Sequence, residues 1–404
     1  MNLPTEFPPT REAALSRINA LRPLQYERSR NFINGAVTGL SPYITHGIVS
    51  LPEVLAGVTQ RHSLQVQHKF VFELGWREYF RHVWQARGDG ILGSLHRGPL
   101  ADEAYSDRLP TDIREGATGI PVIDMAVRTL YSTGYLHNHA RMWLASYVVH
   151  IRKVHWRVGA DWLYGHLIDG DLASNHLSWQ WVAGTGSNKP YLFNADNVAR
   201  YAPPDWHSPG SPIDHAYDTL DQVARQPRRD ADVATQPSQN SEPPLAHSLP
   251  FEFNLAELNE ADVAGRDVWI VHPWNLNESA LAVPEGTFVI GILLSDFHKK
   301  WPWHERRWRF VTSRMSQLTG NIWQSDTSTI TQALKAARRV RTTDDLHLHP
   351  WISQFAECEP AASLFPAVNH RCDSFSQWWS RATKKIRTAK ELLGEIGPND
   401  RLFS

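Results

Sequence analysis

Apolar positions recur with a helical period through residues 118–181 and gather into short, dense runs only beyond residue 260. Thr118-Gly119-Ile120-Pro121-Val122-Ile123-Asp124 leads into a helix predicted to end near Leu130, ahead of a turn at Ser132-Thr133-Gly134. The next helix carries Trp143, Leu144, Tyr147, Val148, Ile151 and Val154 on its apolar stripe and is predicted to run out near Trp156 and Gly159. A third begins after Asp171, a good capping acceptor, and ends around Trp181. Residues 206–250 interrupt the pattern: prolines scattered among Ser, Asp, Gln and Asn cannot bury enough surface to fold, so the stretch reads as a mobile linker. Asp267–Trp274 and Thr287–Leu294 then read as buried parallel strands, with helices predicted over Glu305–Met315 and Ile330–Val340. The expected class is α plus α/β: an all-helical domain over 1–205, the linker over 206–250, and a smaller Rossmann-like α/β domain over 251–404.

Several polar residues fall on shared faces of this pattern. Asn175 and Trp179 are one turn apart, just after the acids Asp169 and Asp171. A carboxamide can hydrogen-bond a ring nitrogen and an indole can lie against a π system, although a plain core uses indoles equally well. Asn138 and Arg141 share one side of the preceding helix, and Asp169 is the obvious carboxylate for an arginine fork. Glu73 and Arg77, four apart, have the spacing of an ordinary surface ion pair. Ser41-Pro42 has the form of a simple helix N-cap followed by proline.

Three of these runs also occur in order at family spacing: T-G-x-P-x-x-D from Thr118, T-G-x-x-H-N-x-x-R-M from Thr133, and D-G-D-L-A-x-N-x-x-x-W-Q-W from Asp169. Together they resemble the flavin-binding helical domain of the photolyase/cryptochrome family. The resemblance continues upstream. Tyr26-Glu27-x-x-Arg30-x-Phe32 and Thr38-Gly39-Leu40-Ser41-Pro42 are similar to the turn that holds the FAD pyrophosphate, though one residue shorter and without its arginine. Phe70–His82 is similar to the helix that faces bound lesions.

The resemblance implies FAD as cofactor, held by Tyr26, Thr38, Ser41, Phe70, Arg77, Asn138, Arg141, Asp169, Asp171 and Asn175. It implies that Glu73, Trp76, Asn138, Met142 and Trp181 serve the substrate pocket, and that Trp179 and Trp156 conduct electrons, with no tryptophan at the outermost position and Tyr105 the nearest aromatic in sequence. The implied activity is that of a photolyase-type lyase acting on UV-damaged DNA, single- or double-stranded: it splits cyclobutane pyrimidine dimers by electron transfer from excited, reduced FAD. The implied alternative is a cryptochrome-like blue-light photoreceptor without repair. Asn175 at the flavin N5 and Met142, where (6-4) enzymes carry histidine, favour dimer repair. His139 in place of an arginine and the shortened Ser187–Asn194 segment remove positive charge from the DNA-facing rim and favour sensing. In ordinary members an antenna domain precedes the flavin domain. Here the antenna-like domain follows, an order that reads as a circular permutation and leaves open whether an antenna chromophore binds.

Composition narrows the setting. The net charge is −1, with twenty basic and eighteen acidic residues in 1–205, so no global footprint for nucleic acid exists. Two cysteines, Cys358 and Cys372, argue for a reducing compartment and cannot hold a four-cysteine cluster. Twenty histidines, including His137 and His139, match no familiar ligand spacing, so no metal is expected. With no membrane-length apolar run and no leader pattern, the expected protein is a cytoplasmic monomer.

Overall fold

In the computed structural model, residues 6–227, 241–257, 259–278 and 282–394 are described. They cluster into two compact units. One is built from Arg22–Val37 and the described part of Phe80–Pro244, the other from Phe7–Leu21, Thr38–Tyr79 and the described part of Leu245–Ser404. This partition differs from the expected boundaries at 205 and 250. Residues 38–79 group with the C-terminal segment because their backbone bonds go there, Leu276 N–H donating to His46 O at 2.9 Å and Val66 N–H to Arg387 O at 2.8 Å, and residues 7–21 are tied to 38–79 by Arg11, which donates to Ile48 O at 3.1 Å and to Glu53 Oε1 at 2.6 Å.

The first unit is helical. Helices α1 (Pro121–Thr133), α2 (Asn138–Ser146), α3 (Trp156–His166) and α4 (Leu172–Ala183) enclose a core that includes Val122, Val127, Leu144, Val148, Trp143 and Leu163. The T-G-x-P-x-x-D run is a helix-start device. The Asp124 carboxylate accepts from Thr118 N–H, Thr118 Oγ1–H and Gly119 N–H at 2.8, 2.7 and 3.1 Å, and Pro121 opens α1. Gly134, at φ 67°, closes it in the left-handed conformation.

The helix predicted to run from Asn138 to Trp156 is two elements. α2 passes into a π-turn over Tyr147–Ile151, and Lys153 at φ 52° then breaks the chain, so Trp156 begins α3 instead of ending α2. The break is locked on both sides. Arg152 forks onto buried Asp112 at 2.6 and 3.0 Å, and Lys153 Nζ donates to Val223 O and Ala224 O at 2.6 and 2.9 Å. Those two carbonyls lie at the end of a helix, Tyr217–Ala224, that buries Leu220 and Ala224. The expected linker is therefore ordered in this part; residues 228–240 of it lie outside the described residues.

The second unit holds a five-stranded, all-parallel sheet: β1 (Asp267–Val271), β2 (Phe288–Leu294), β3 (Ile322–Ser325), β4 (Arg339–Thr343) and β5 (Glu357–Glu359), in spatial order β3-β2-β1-β4-β5. The two predicted apolar runs are the neighbouring central strands β1 and β2. One local expectation fails. Ile330–Val340 holds the end of a helix, Thr327–Leu334, and then enters β4, where the β-branched Val340, Thr342 and Thr343 prefer strand. Residues 383–388 form a turn and a bridge, with Lys385 at φ 70°, before the helix Ala389–Gly394 begins. In the Glu305–Leu318 helix Arg307 is buried, its guanidinium 4.0 Å from the ring centre of Trp303, whereas Arg306 and Arg309 are exposed.

Candidate functional site

In the helical unit the expected residues converge through backbone anchoring. Arg141, in the first turn of α2, donates from Nε to Leu136 O at 2.7 Å, and its Nη2 reaches both oxygens of Asp169 at 2.9 and 2.8 Å. One nitrogen thus bridges the carboxylate where a two-nitrogen fork was expected, because Nε is committed to the main chain. The Asp169 side chain is 3% exposed and that of Arg141 24%. Asp171 caps α4 by accepting from Ser174 N–H at 2.7 Å. One turn on, Asn175 Nδ2 donates to Ala160 O at 2.8 Å. Asn138 opens α2, and its amide donates to Met142 Sδ at 3.5 Å. Tyr26 lies half-buried on the short helix Pro23–Ser29. His137 is the N-cap of α2, its Nδ1 accepting from His139 N–H at 3.1 Å, and burial beside His139 pushes it down to about 4.

The tryptophans divide by exposure. Trp179 and Trp156 are buried, whereas Trp181 is 39% exposed, tilted against Tyr191 at 5.5 Å. Trp179 packs on α3 where Gly159 leaves room: a Cβ there would meet its ring at 2.4 Å. Trp156, three residues before Gly159, donates from Nε1 to Ser94 Oγ at 3.0 Å. A ring series then leads outward, from Trp156 to His155 at 5.7 Å and from His155 to Tyr105 at 6.3 Å.

The second unit holds the remaining expected residues. Gly39, at φ 59°, turns the chain between Thr38 and Ser41, and Thr38 Oγ1 accepts from Leu40 N–H at 3.2 Å. Leu40 is the N-cap and Ser41 the first helical residue, so Ser41 is not the cap its Ser-Pro pattern suggested. On the helix Lys69–Arg87, Phe70 is buried, Glu73 is half-buried, and Arg77 Nη2 donates to Thr45 Oγ1 at 2.9 Å. Trp76 stacks on Phe375 with 4.0 Å between centroids and 12° between planes. Phe375 sits on the helix Phe375–Ala382, whose Trp379 approaches Gly75 so closely that a Cβ there would lie 2.5 Å from its ring. Glu78 fastens the segment ahead of that helix, accepting from Leu364 N–H and Phe365 N–H at 2.6 and 3.2 Å.

Sequence patterning missed Ala160, Gly159, Ser94, His155 and Phe375. The first acts through its carbonyl, and the second by lacking a side chain. Ser94 and Phe375 are brought to their partners by the fold, with no local spacing to mark them, and His155, next to Trp156 in sequence, meets Tyr105 in the same way.

Residues 70–206 match the FAD-binding domain of DNA photolyase. The chain is 36% identical over 165 residues to a deoxyribodipyrimidine photo-lyase from Streptomyces griseus, covering 40% of this chain and 36% of that one. It is 33% identical over 173 residues to a cryptochrome DASH from a Synechocystis species, covering 40% and 35%. The crystal structure of a Synechocystis cryptochrome aligns at a TM-score of 0.43 and 29% identity, covering 48% of this chain and 43% of that one. The alignments to the two curated relatives thus span little more than a third of each relative's length. Over this part the chain is similar to the FAD-binding domain of photolyases and to cryptochromes.

Proposed function

We propose that the protein binds FAD without a covalent bond and splits cyclobutane pyrimidine dimers in UV-damaged DNA with blue or near-ultraviolet light. The observation that carries this reading is the locked carboxamide of Asn175. Its Nδ2 is held by Ala160 O, so its acceptor oxygen points the other way, toward a donor N–H such as reduced flavin carries at N5. Arg141 and Asp169 form an anchored, nearly charge-balanced pair suited to the polar edge of the isoalloxazine, with Asn138 on the helix of Arg141 and Asp171 two residues after Asp169, at the cap of α4. Thr38, Ser41, Tyr26, Phe70 and Arg77 keep the cofactor roles that the family resemblance implies. Reduced FAD, when bound and excited, supplies the electron that breaks the dimer bonds. The substrate roles that the resemblance implies are kept for each residue by itself: a hydrogen bond to the dimer bases for Glu73, apolar contact for Trp76 and for Trp181, and adaptable apolar filling for Met142. Trp179 and Trp156 bring electrons inward. The C-terminal sheet is proposed as a permuted antenna domain.

The test is illumination of the purified, reduced protein with dimer-containing oligonucleotides, following loss of the lesion. Glu73→Ala should keep FAD and its photoreduction yet lose most repair, by about 1–3 kcal/mol in transition-state stabilisation if one substrate hydrogen bond is removed. Unchanged repair by that variant removes the assigned role.

A second reading, light sensing without repair, draws on Trp76. Phe375 covers one face of that indole, which a pocket wall would present to a base. A robust light-driven flavin change with no repair by the unmodified protein would favour it.

A further inference from the structure

At the carboxyl edge of the sheet in the second unit, Asp344, His349 and Cys358 each offer one ligand atom, all within 4.8 Å of one another. We propose that these three side chains bind a divalent cation of the zinc class, in a site distinct from the flavin chemistry.

The donors are set by the backbone. Asp344 follows β4 directly, and its N–H donates to Glu359 O at 2.6 Å. Cys358 is the middle residue of β5, paired in register with Thr342 of β4. His349 opens the short helix His349–Ile352, with its N–H donating to Asp345 O at 2.8 Å. Two adjacent strands and the turn after β4 therefore fix the three Cα positions before any ion arrives. The imidazole Nδ1 of His349 lies 2.8 Å from Asp344 Oδ1. Tetrahedral zinc with ligands at 2.0–2.3 Å separates its donors by about 3.3–3.6 Å, so small side-chain rotations convert the present cluster into a coordination shell.

The donor set names the ion class. One sulfur, one imidazole nitrogen and one carboxylate oxygen suit zinc, whereas magnesium and calcium take oxygen almost alone. Thiolate and carboxylate together neutralise a dication, with the imidazole neutral. Three protein ligands leave the fourth position to water or to an exogenous group. His349 and Asp344 are accessible enough to admit the ion, with half and a third of their side-chain surface exposed.

The test uses the full chain, reduced, stripped with a chelator and titrated with Zn2+ against a chromophoric competitor. About one tight equivalent per chain is expected, and Cys358→Ser or His349→Ala should weaken it by about tenfold or more. In the unmodified protein, Zn2+ should slow alkylation of Cys358 by iodoacetamide about tenfold, with Cys372, buried and outside the cluster, as the internal control. That readout needs no variant to fold and no flavin to be present. Stoichiometric binding untouched by either substitution, or alkylation of Cys358 at the same rate with and without Zn2+, overturns the proposal.

Discussion

The side-chain amide of Asn175 donates to the main-chain oxygen of Ala160 across 2.8 Å, tying helix α4 to α3 through a buried bond. A carbonyl can only accept, so this contact decides which end of the amide faces outward: the oxygen. Aspartate at 175 keeps the shape but cannot donate to Ala160 O, which leaves two acceptors facing each other. Asn175→Asp should retain FAD while its reduced form reoxidises in air about tenfold faster, the equivalent of about 1.4 kcal/mol. Stopped-flow reoxidation of the photoreduced protein measures it. A rate equal to that of the unmodified protein would remove Asn175 from the flavin.

Arg141 is held twice, by Leu136 O and by Asp169, so the loss of Asp169 does not free it to turn elsewhere. Asp169→Ala leaves a mostly buried cation with a vacated partner position, costing about 1.5–3 kcal/mol for the charged hydrogen bonds, less some recovery through water because Arg141 is partly exposed. The expected outcome is purification with little or no FAD, read from the flavin-to-protein absorbance ratio, with far-UV circular dichroism preserved. Asp169→Asn, which still accepts one bond from Nη2, should hold an intermediate amount.

What patterning could read were contacts between residues close in sequence. The Asp171 cap and the one-turn spacing of Asn175 and Trp179 are such contacts, and so are the two strands β1 and β2, which bury both faces. Arg141 with Asp169 was legible as a pair but not as geometry, because the bond from Nε to Leu136 O was invisible. The break at Lys153 was misread since a lysine at positive φ carries no local signal. It is tolerated because its ammonium finds two carbonyls some seventy residues away. Phe375 against Trp76 is illegible for the same reason: three hundred residues separate them, and Gly75 matters only once Trp379 lies on it.

Burial keeps several imidazoles neutral. His150, His137 and His139 are each pushed down to about 4, chiefly by loss of solvent. The unfolded chain binds protons at its ordinary histidine value and the folded chain only at the lowered one. Between about pH 6.5 and pH 4 the unfolded state therefore holds more protons, and stability falls as the solution is acidified. His150 donates from Nε2 to Val182 O at 2.9 Å, a bond glutamine can imitate. His150→Gln should lower the proton uptake on unfolding at about pH 5 by close to one, measured from the pH dependence of the urea midpoint. An unchanged slope would mean that His150 is already protonated in the folded protein.

The proposed electron path rests on one missing Cβ. Gly159 lets Trp179 lie on α3, and a methyl group at that position would overlap the indole at 2.4 Å, a clash with the ring itself and not with a flexible tip. Gly159→Ala should displace Trp179 and destabilise the protein by about 1–3 kcal/mol, the usual cost of overpacking, partly offset by alanine's better helix propensity. The steady-state rate of FAD photoreduction should drop with it while FAD stays bound, and Trp179→Phe should abolish or greatly slow the reaction. At the outer end, Tyr105 follows Trp156 and His155 in the ring series, where an outer tryptophan was absent from the sequence. Burial and the neighbouring Asp102 push its phenol up to about 12, so it holds its proton, and a role as electron donor would require that proton to leave with the electron. Photoreduction through Tyr105 should consequently slow in D2O, and Tyr105→Phe should slow it further and erase that isotope effect. Trp179→Phe with unchanged photoreduction would show that electrons reach the flavin by another route, whereas loss of the isotope effect alone isolates Tyr105 as the terminal donor.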